Sequence, residues 1–228
     1  MTPNEKRRPG GDITKRTSKV IFLCDTSGSM EEDGKIDELN NCLREAMPHI
    51  KKIGEETPNA NIQICIMSFD STSKWLTLNE SIQDFVWKDL KANSNGETNI
   101  GQAFSLLAME MDSNSMPERG YPPLIVVITD GNATDSYNIG LEEFLTTKWG
   151  QKAVRQAIAI GKEADMSVLL KFINNREIKP ILANNPEQLA KAIRFLSTAV
   201  LKKVSTPHTG EGPILPPEFE AGTDDDIW

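Results

Sequence analysis

Two apolar stretches of this 228-residue chain each run into an aspartate with small polar neighbours. Residues 20–24 are followed by Asp-Thr-Ser-Gly-Ser, and residues 124–128 by Thr-Asp-Gly-Asn. A third segment, 98–111, begins with a threonine and then has the pattern of a helix. The side chains that these segments offer are all oxygen donors, namely Asp25, Ser27, Ser29, Thr98 and Asp130. Hard divalent cations such as Mg²⁺ prefer that donor type, so the pattern indicates a cation site if the fold brings the segments together.

Strand and helix patterns alternate along the middle of the chain. Unbroken apolar runs predict strands at 20–24 and 124–128, and isoleucines in alternation predict a strand at 61–69. Further strands are predicted at 154–161 and, at the edge of the sheet, at 179–183. Apolar residues spaced three and four apart predict helices at 36–53, 98–111, 165–173 and from Asn185 to about residue 200. Residues 77–87 are predicted to hold a short strand or a turn. This alternation is typical of an α/β fold, a doubly wound, mainly parallel sheet with helices on both faces.

The predicted fold would position the oxygen donors together. In open α/β sheets, ligands bind in the crevice beyond the carboxyl ends of the strands. Asp25 and Asp130 each follow a strand at that edge, and the helix that begins near Thr98 starts there as well. Four glycines of these segments are expected to ease tight backbone turns around the site, namely residues 28, 96, 101 and 131.

The segments "DTSGSM", "TNIGQAF" and "TDGN" resemble, in kind, order and spacing, the metal-ion-dependent adhesion site of von Willebrand factor A (VWA) domains. The resemblance covers about residues 18–204 and implies a Rossmann-like VWA fold. It implies that Ser27, Ser29 and Thr98 bind the ion directly, while Asp25 and Asp130 hold it largely through water. One coordination position then stays open for the Asp or Glu carboxylate of a protein partner. The implied ion is Mg²⁺, with Mn²⁺ and Ca²⁺ as alternatives.

A narrower resemblance concerns the region after the first segment. "DTSGSM" is soon followed by "KIDELNNCL" and later by "TDG", which looks like the TerY-type proteins of bacterial tellurium-resistance and stress operons. Members of that group are associated with a Ser/Thr kinase and a metal-dependent protein phosphatase. The resemblance therefore implies an adaptor in such a stress-signalling system, with the kinase and the phosphatase as partners.

The net charge of −8 is unevenly distributed along the chain. Residues 1–19 carry a net +4 and residues 205–228 a net −6. We predict a basic flexible arm at 1–17, a VWA domain at 18–204 and an acidic, Pro- and Gly-rich flexible tail at 205–228. An acidic domain is a poor general binder of nucleic acid, because phosphate neutralisation needs a basic face. The tail carboxylates, Asp224 to Asp226, are themselves a candidate ligand for the open metal position, and a merely solubilising tail is the alternative.

The composition also indicates where the protein works. No apolar run approaches the roughly 20 residues that span a bilayer, and the basic N-terminal segment lacks the apolar region of a secretory signal. Three cysteines, Cys24, Cys42 and Cys65, do not form a disulfide framework. We therefore expect a cytoplasmic protein without a membrane partner.

Two other function classes are alternatives to a binding module. A Mg-dependent hydrolase is disfavoured because Gln102 occupies the position at which a phosphate loop needs lysine, and no G-x-S-x-G motif occurs. The two histidines, His49 and His208, lie in the first long helix and in the tail, which gives a Ser-His-Asp triad little support. A purely structural scaffold, in which the acids and hydroxyls only cap helices, is the other alternative. The expectation is a protein-binding module that is not an enzyme.

Overall fold

The computed structural model describes residues 15–114 and 116–204. Six of its strands form one sheet in the order β3-β2-β1-β4-β5-β6. All neighbouring strands pair in parallel except β2 and β3, which are antiparallel. The strands are β1 Arg16–Asp25, β2 Ala60–Phe69, β3 Ser73–Ser81, β4 Leu124–Thr129, β5 Val154–Ile160 and β6 Ile181–Ala183. The predicted mainly parallel sheet is therefore confirmed.

Helices cover both faces of the sheet, as predicted. They are α1 Lys35–Glu56, α2 Ile100–Met111, α3 Tyr137–Thr146, α4 Lys148–Lys152, α5 Met166–Ile173, α6 Pro186–Phe195 and α7 Leu201–Val204. A 3₁₀ segment, Gly28–Gly34, precedes α1, and a π-helical turn, Leu196–Val200, joins α6 to α7. Alternate residues of β1 point to opposite faces, so Phe22 packs in the core layer of α1 and α6 while Leu23 packs in the layer of α2, α3 and α5.

The central pair of strands fixes the position of the site. β1 leads to β2 on one side, whereas β4 lies on its other side, so the strand order reverses between β1 and β4. Such a reversal opens a crevice at the carboxyl ends of the strands. The two strands are in register, with Cys24 opposite Ile128, and their following aspartates therefore reach the same edge.

The structure differs from the sequence expectations at several elements. β3 begins at Ser73, before the segment 77–87 in which a strand or turn was predicted, and its pairing ends at Ser81. Helices α3 and α4 were not predicted at all. β1 begins at Arg16, inside the predicted arm, because Arg16 pairs with Ala60 of β2. The rest of the arm and the acidic tail lie outside the described residues.

Two further observations concern the described part of the chain. None of its helices has the length and apolar character needed to span a bilayer. Cys24, Cys42 and Cys65 are free thiols buried in the core, consistent with the absence of a disulfide framework. Burial raises the pKa of the Cys65 thiol to about 11, so that it packs as a small apolar group.

Candidate metal centre

Asp25 is the last residue of β1 and is fully buried. One carboxylate oxygen, Oδ1, accepts a hydrogen bond of 2.8 Å from the backbone N–H of Ser27. The other, Oδ2, accepts a hydrogen bond from the hydroxyl of Thr129 at the end of β4. The Asp25 carboxylate is therefore held between the two central strands by donors on both of its oxygens.

Burial raises the pKa of Asp25 to about 6, and the nearby charge of Asp130 adds to the increase. Hydrogen bonds from Ser27 and Thr129 act in the opposite direction, because they favour the ionised carboxylate. The desolvation of the charged form is the larger effect. A cation beside this group would relieve that cost, because an opposite charge favours the ionised form.

The serines of the first segment lie at the start of the 3₁₀ turn. The hydroxyl oxygens of Ser27 and Ser29 are 3.3 Å apart, and Ser29 donates a hydrogen bond of 2.8 Å to Oδ1 of Asp130. Gly28 between them is needed for a close approach, because a Cβ there would lie 2.8 Å from the backbone oxygen of Ser94. The first segment is thus in direct contact with the carboxylate that follows β4.

Thr98 lies just before α2 and is also buried. Its hydroxyl faces the residue after Asp130, because a Cβ added to Gly131 would lie 2.9 Å from Thr98 Oγ1. The backbone oxygen of Thr98 accepts a hydrogen bond of 3.0 Å from the N–H of Thr134, which connects the second and third segments. The structure therefore brings all five predicted side chains to one edge of the sheet.

Asp135 strengthens that connection and was missed by the sequence analysis. Its two carboxylate oxygens accept hydrogen bonds of 2.9 Å from the backbone N–H groups of Gly101 and Gln102, in the first turn of α2. A carboxylate at this position satisfies free N–H groups and interacts favourably with the helix dipole. No spacing rule links a loop aspartate to a helix thirty residues earlier, so only the fold reveals this contact.

Lys35, the first residue of α1, is the second residue that the sequence analysis missed. Its Nζ lies 2.8 Å from Oδ2 of Asp130, and only 9% of its side chain is exposed. Asp130 therefore has a hydroxyl donor on one oxygen and an ammonium donor on the other. A lysine in the first turn of a helix, where acids are favoured, was the available signal.

Gly96 closes a tight turn, as expected, because its N–H donates a hydrogen bond of 2.6 Å to the backbone oxygen of Asn93. Among the described glycines, positive φ values occur at Gly34 and Gly161, so glycines 28, 96, 101 and 131 have no left-handed backbone. The four glycines also permit close packing. A Cβ at Gly101, for example, would lie 2.6 Å from the Cα of Tyr137 at the start of α3.

The donor set fits a hard divalent cation. Mg²⁺ at about 2.0–2.1 Å from octahedral ligands places neighbouring oxygens about 3 Å apart, close to the 3.3 Å between the Ser27 and Ser29 hydroxyls. Three neutral hydroxyls and two carboxylates supply oxygen alone. Within the described ranges, no group of three or more His, Cys, Asp or Glu side chains could hold a metal, so a cation at this edge would depend on hydroxyl ligands.

The structure also bears on the phosphate-loop alternative. The side chain of Gln102 accepts a hydrogen bond of 2.8 Å from the backbone N–H of Ser73, at the start of β3. This hydrogen bond connects the start of α2 to the start of β3. His49 lies on the exposed side of α1.

Comparison with known proteins gave matches at the level of family and fold. The family model of the von Willebrand factor type A domain matches residues 20–132. Among curated proteins, none matches the sequence significantly.

Several solved structures have the same fold. Mussel proximal thread matrix protein 1, whose structure has a zinc-occupied MIDAS motif, is 17% identical with a TM-score of 0.60, over 84% of this chain and 48% of that chain. The ArnB paralog VWA2 of Sulfolobus acidocaldarius is 17% identical with a TM-score of 0.57, over 79% and 44%. A von Willebrand factor type A protein of Catenulispora acidiphila is 14% identical with a TM-score of 0.58, over 84% and 43%. This chain thus spans less than half the length of these proteins. Residues 20–132 are therefore similar in sequence to the von Willebrand factor type A domain, and the chain shares the fold of these solved proteins.

Proposed function

We propose that the domain binds one divalent cation at the sheet edge and uses it to bind a carboxylate of a protein partner. Ser27, Ser29 and Thr98 would be direct ligands, and Asp25 and Asp130 would act largely through water. Once bound, the ion supplies a positively charged position that can accept an anionic oxygen. We propose Mg²⁺ as the ion, with Mn²⁺ and Ca²⁺ as alternatives, because every donor is an oxygen.

The observation that carries this proposal is the bridging position of the Ser29 hydroxyl. It lies 3.3 Å from the hydroxyl of Ser27 and donates a 2.8 Å hydrogen bond to Asp130, which follows a different strand. Its lone pairs stay available to a cation while its proton is directed to the carboxylate. Helix capping alone does not require hydroxyls from one segment to meet an acid from another.

Calorimetric titration of the full chain with Mg²⁺, Mn²⁺ and Ca²⁺ tests the proposal. We expect one site per chain, and loss of binding in Asp130→Ala and in a Ser27→Ala/Ser29→Ala double variant. Ser94→Ala, a nearby exposed serine outside the donor set, is the matched control. A chain that takes up none of the three ions, or variants that bind like the wild type, would contradict the site.

Carboxylate binding needs its own measurement. Neutral hydroxyl ligands leave much of the ion's charge uncompensated, so the loaded site should attract an anion. We expect acetate to displace water from the Mn²⁺-loaded protein, seen as a decrease in water-proton relaxation enhancement, with chloride at equal ionic strength as control. Equal effects of acetate and chloride would argue against an open position.

We further propose that the protein is a binder and not an enzyme. Both oxygens of Asp25 and both oxygens of Asp130 accept hydrogen bonds from the protein, which suits carboxylates that position other groups better than a mobile general base. Phosphoester hydrolysis assays with and without Mg²⁺ test this proposal. Turnover that disappears in Asp130→Ala would favour the hydrolase alternative.

The biological setting that we propose is a cytoplasmic adaptor in a bacterial tellurium-resistance or stress-signalling system. Its support is the sequence resemblance of the segments around Asp25 and Asp130 to TerY-type proteins. The proposed partners are a Ser/Thr kinase and a metal-dependent phosphatase. Co-purification with either partner in Mg²⁺, lost in EDTA and in Asp130→Ala, is the expected result. Binding that is insensitive to EDTA would separate the partnership from the metal centre.

The acidic tail offers a second source for the carboxylate, and it lies outside the described residues. We propose it as a competitor for the same open position, because it carries Asp224 to Asp226. Deletion of residues 205–228 should then strengthen acetate binding to the Mn²⁺-loaded protein. Unchanged acetate affinity and oligomeric state in the truncated chain would favour a solubilising role.

A further inference from the structure

We propose that Lys35 is a built-in counter-cation of the metal centre, which orients Asp130 and leaves the ion-loaded site with a net positive charge. The effect would be weaker binding of the metal and stronger binding of the partner's carboxylate. This inference rests on the proposed function and gives a role at the metal centre to a residue outside the five oxygen donors.

The contact between Lys35 and Asp130 is direct and shielded from solvent. Nζ of Lys35 lies 2.8 Å from Oδ2, and the side chains of Lys35 and Asp130 are 9% and 0% exposed. The other carboxylate oxygen of Asp130, Oδ1, accepts a hydrogen bond from the hydroxyl of Ser29. With one donor on each oxygen, the carboxylate is held in a fixed orientation before any ion arrives.

The backbone directs the lysine to this contact at a cost. Lys35 is the first residue of a 22-residue helix, where the helix dipole disfavours a cation. Asp33 and Gly34 before it both have left-handed backbones, with φ of 50° and 68°, and this turn brings the chain from the 3₁₀ segment into α1. Burial adds a desolvation cost to the ammonium. The ion pair with Asp130 is the interaction that offsets these two penalties.

The charge of Lys35 changes what the loaded site can do. Two carboxylates would balance a divalent ion and leave a formally neutral site. A buried ammonium in contact with one of those carboxylates leaves a formal single positive charge instead. That charge opposes the entry of a cation and favours an incoming anion, since both energies scale with the charge within a few ångströms.

Removal of the charge therefore gives opposite effects on two ligands. In Lys35→Met we expect Mg²⁺ to bind about tenfold more tightly and acetate to bind the Mn²⁺-loaded protein several-fold more weakly, because one unit charge near the ion has disappeared. Lys35→Arg keeps the charge and should stay within about threefold of the wild type for both ligands. Lys52→Met, which removes an exposed lysine from the same helix, is the matched control.

A purely structural role predicts a different result. If Lys35 only connects α1 to β4, Lys35→Met lowers the melting temperature and leaves Mg²⁺ affinity equal to or below that of the wild type, and this outcome overturns the inference. We expect the Lys35→Met/Asp130→Asn double variant to recover melting temperature relative to Lys35→Met, because no buried carboxylate remains unpaired. A double variant whose melting temperature does not recover also counts against the ion pair.

The experiment distinguishes the inference from the function beneath it. A wild-type chain that binds no divalent ion contradicts the proposed function, and the inference with it. A wild-type chain that binds Mg²⁺ beside a folded Lys35→Met variant without tighter binding contradicts the inference alone. If Lys35→Met does not fold, Lys35→Gln makes the same comparison, because its amide can still donate a hydrogen bond to Asp130 without a charge.

Discussion

Replacement of Asp25 by asparagine should stabilise the metal-free protein at pH 7 while abolishing its response to Mg²⁺. The reason is the buried position of this carboxylate, which raises its pKa from an ordinary 3.8 to about 6. An ionised acid at this position costs folding free energy unless a cation lies beside it. Asparagine has nearly the same shape and carries no charge.

The magnitude follows from the pKa and the hydrogen bonds. A pKa that rises from 3.8 to about 6 on folding corresponds to a cost of about 3 kcal/mol at pH 7. Asparagine still accepts the N–H of Ser27, but its amide donor meets the hydroxyl of Thr129, which loses its acceptor at a cost of about 1 kcal/mol. The net gain is about 2 kcal/mol, which raises the melting temperature by about 4–8 °C in a domain of this size.

The pH dependence gives the prediction its sign. Below about pH 4, Asp25 is protonated in both the folded and the unfolded chain, so its charge contributes no difference. Between pH 4 and 6 the unfolded chain loses its proton while the folded chain keeps it, and the wild type is progressively destabilised. Above pH 6 the full penalty is present. The stability advantage of Asp25→Asn should therefore grow from pH 4 to 6 and then level off.

Thermal unfolding in EDTA at pH 4.5, 5.5 and 7, followed by the same series in Mg²⁺ at pH 7, measures these effects. Mg²⁺ should raise the melting temperature of the wild type and leave that of Asp25→Asn unchanged. Asp84→Asn, at an exposed aspartate, is the control and should show neither effect. An Asp25→Asn variant that is less stable than the wild type at pH 7, or a difference that does not change with pH, would refute the reasoning.

Three further predictions concern the groups around the ion. Thr98→Ala should weaken Mg²⁺ binding by calorimetry, but less than Asp130→Ala, because a neutral ligand is lost; an equal or larger loss would be contrary to its proposed role. Gly131→Ala should lower Mg²⁺ affinity about tenfold, because the new Cβ would lie 2.9 Å from Thr98 Oγ1, and unchanged affinity would show that this hydroxyl is not a ligand. Asp135→Ala should cost about 1–2 kcal/mol in chemical unfolding through loss of the α2 cap, and should also weaken Mg²⁺ binding. Normal binding would mean that the Thr98 segment does not need this support.

The sequence was sufficient for the central strands and for the placement of five oxygen donors at one edge of the sheet. Unbroken apolar runs over residues 20–24 and 124–128 describe strands covered on both faces, and such strands leave little choice about where their following acids lie. The alternation of strands and helices then determines the mainly parallel sheet. These features depend on local sequence patterns, which can be identified in a single sequence.

Helix α3 depends on tertiary packing and was therefore missed. Gly140 in its middle disfavours a helix by about 1 kcal/mol relative to alanine. In the fold, that glycine allows α3 to lie directly against α2, because a Cβ there would be 2.1 Å from the backbone oxygen of Gly101. The burial of Leu141 and Phe144 compensates for the poor local propensity. A contact between two distant glycines has no signature in a single sequence.

Lys35 and Asp135 were missed for a related reason, since each acts on an element remote in sequence. Both are charged residues whose partners lie at the same sheet edge, and both keep a segment of the site in place without being oxygen ligands themselves. In the proposed metal centre, both residues would act on the ion without binding it. Asp130 accepts a hydrogen bond from Ser29, which makes that hydroxyl oxygen a better electron donor to a cation. The ammonium group of Lys35 reduces this effect, because it withdraws negative charge from the Asp130 carboxylate. In the proposed centre, removal of the Lys35 charge should therefore move metal affinity and anion affinity in opposite directions, whereas loss of the Ser29 hydroxyl should lower both.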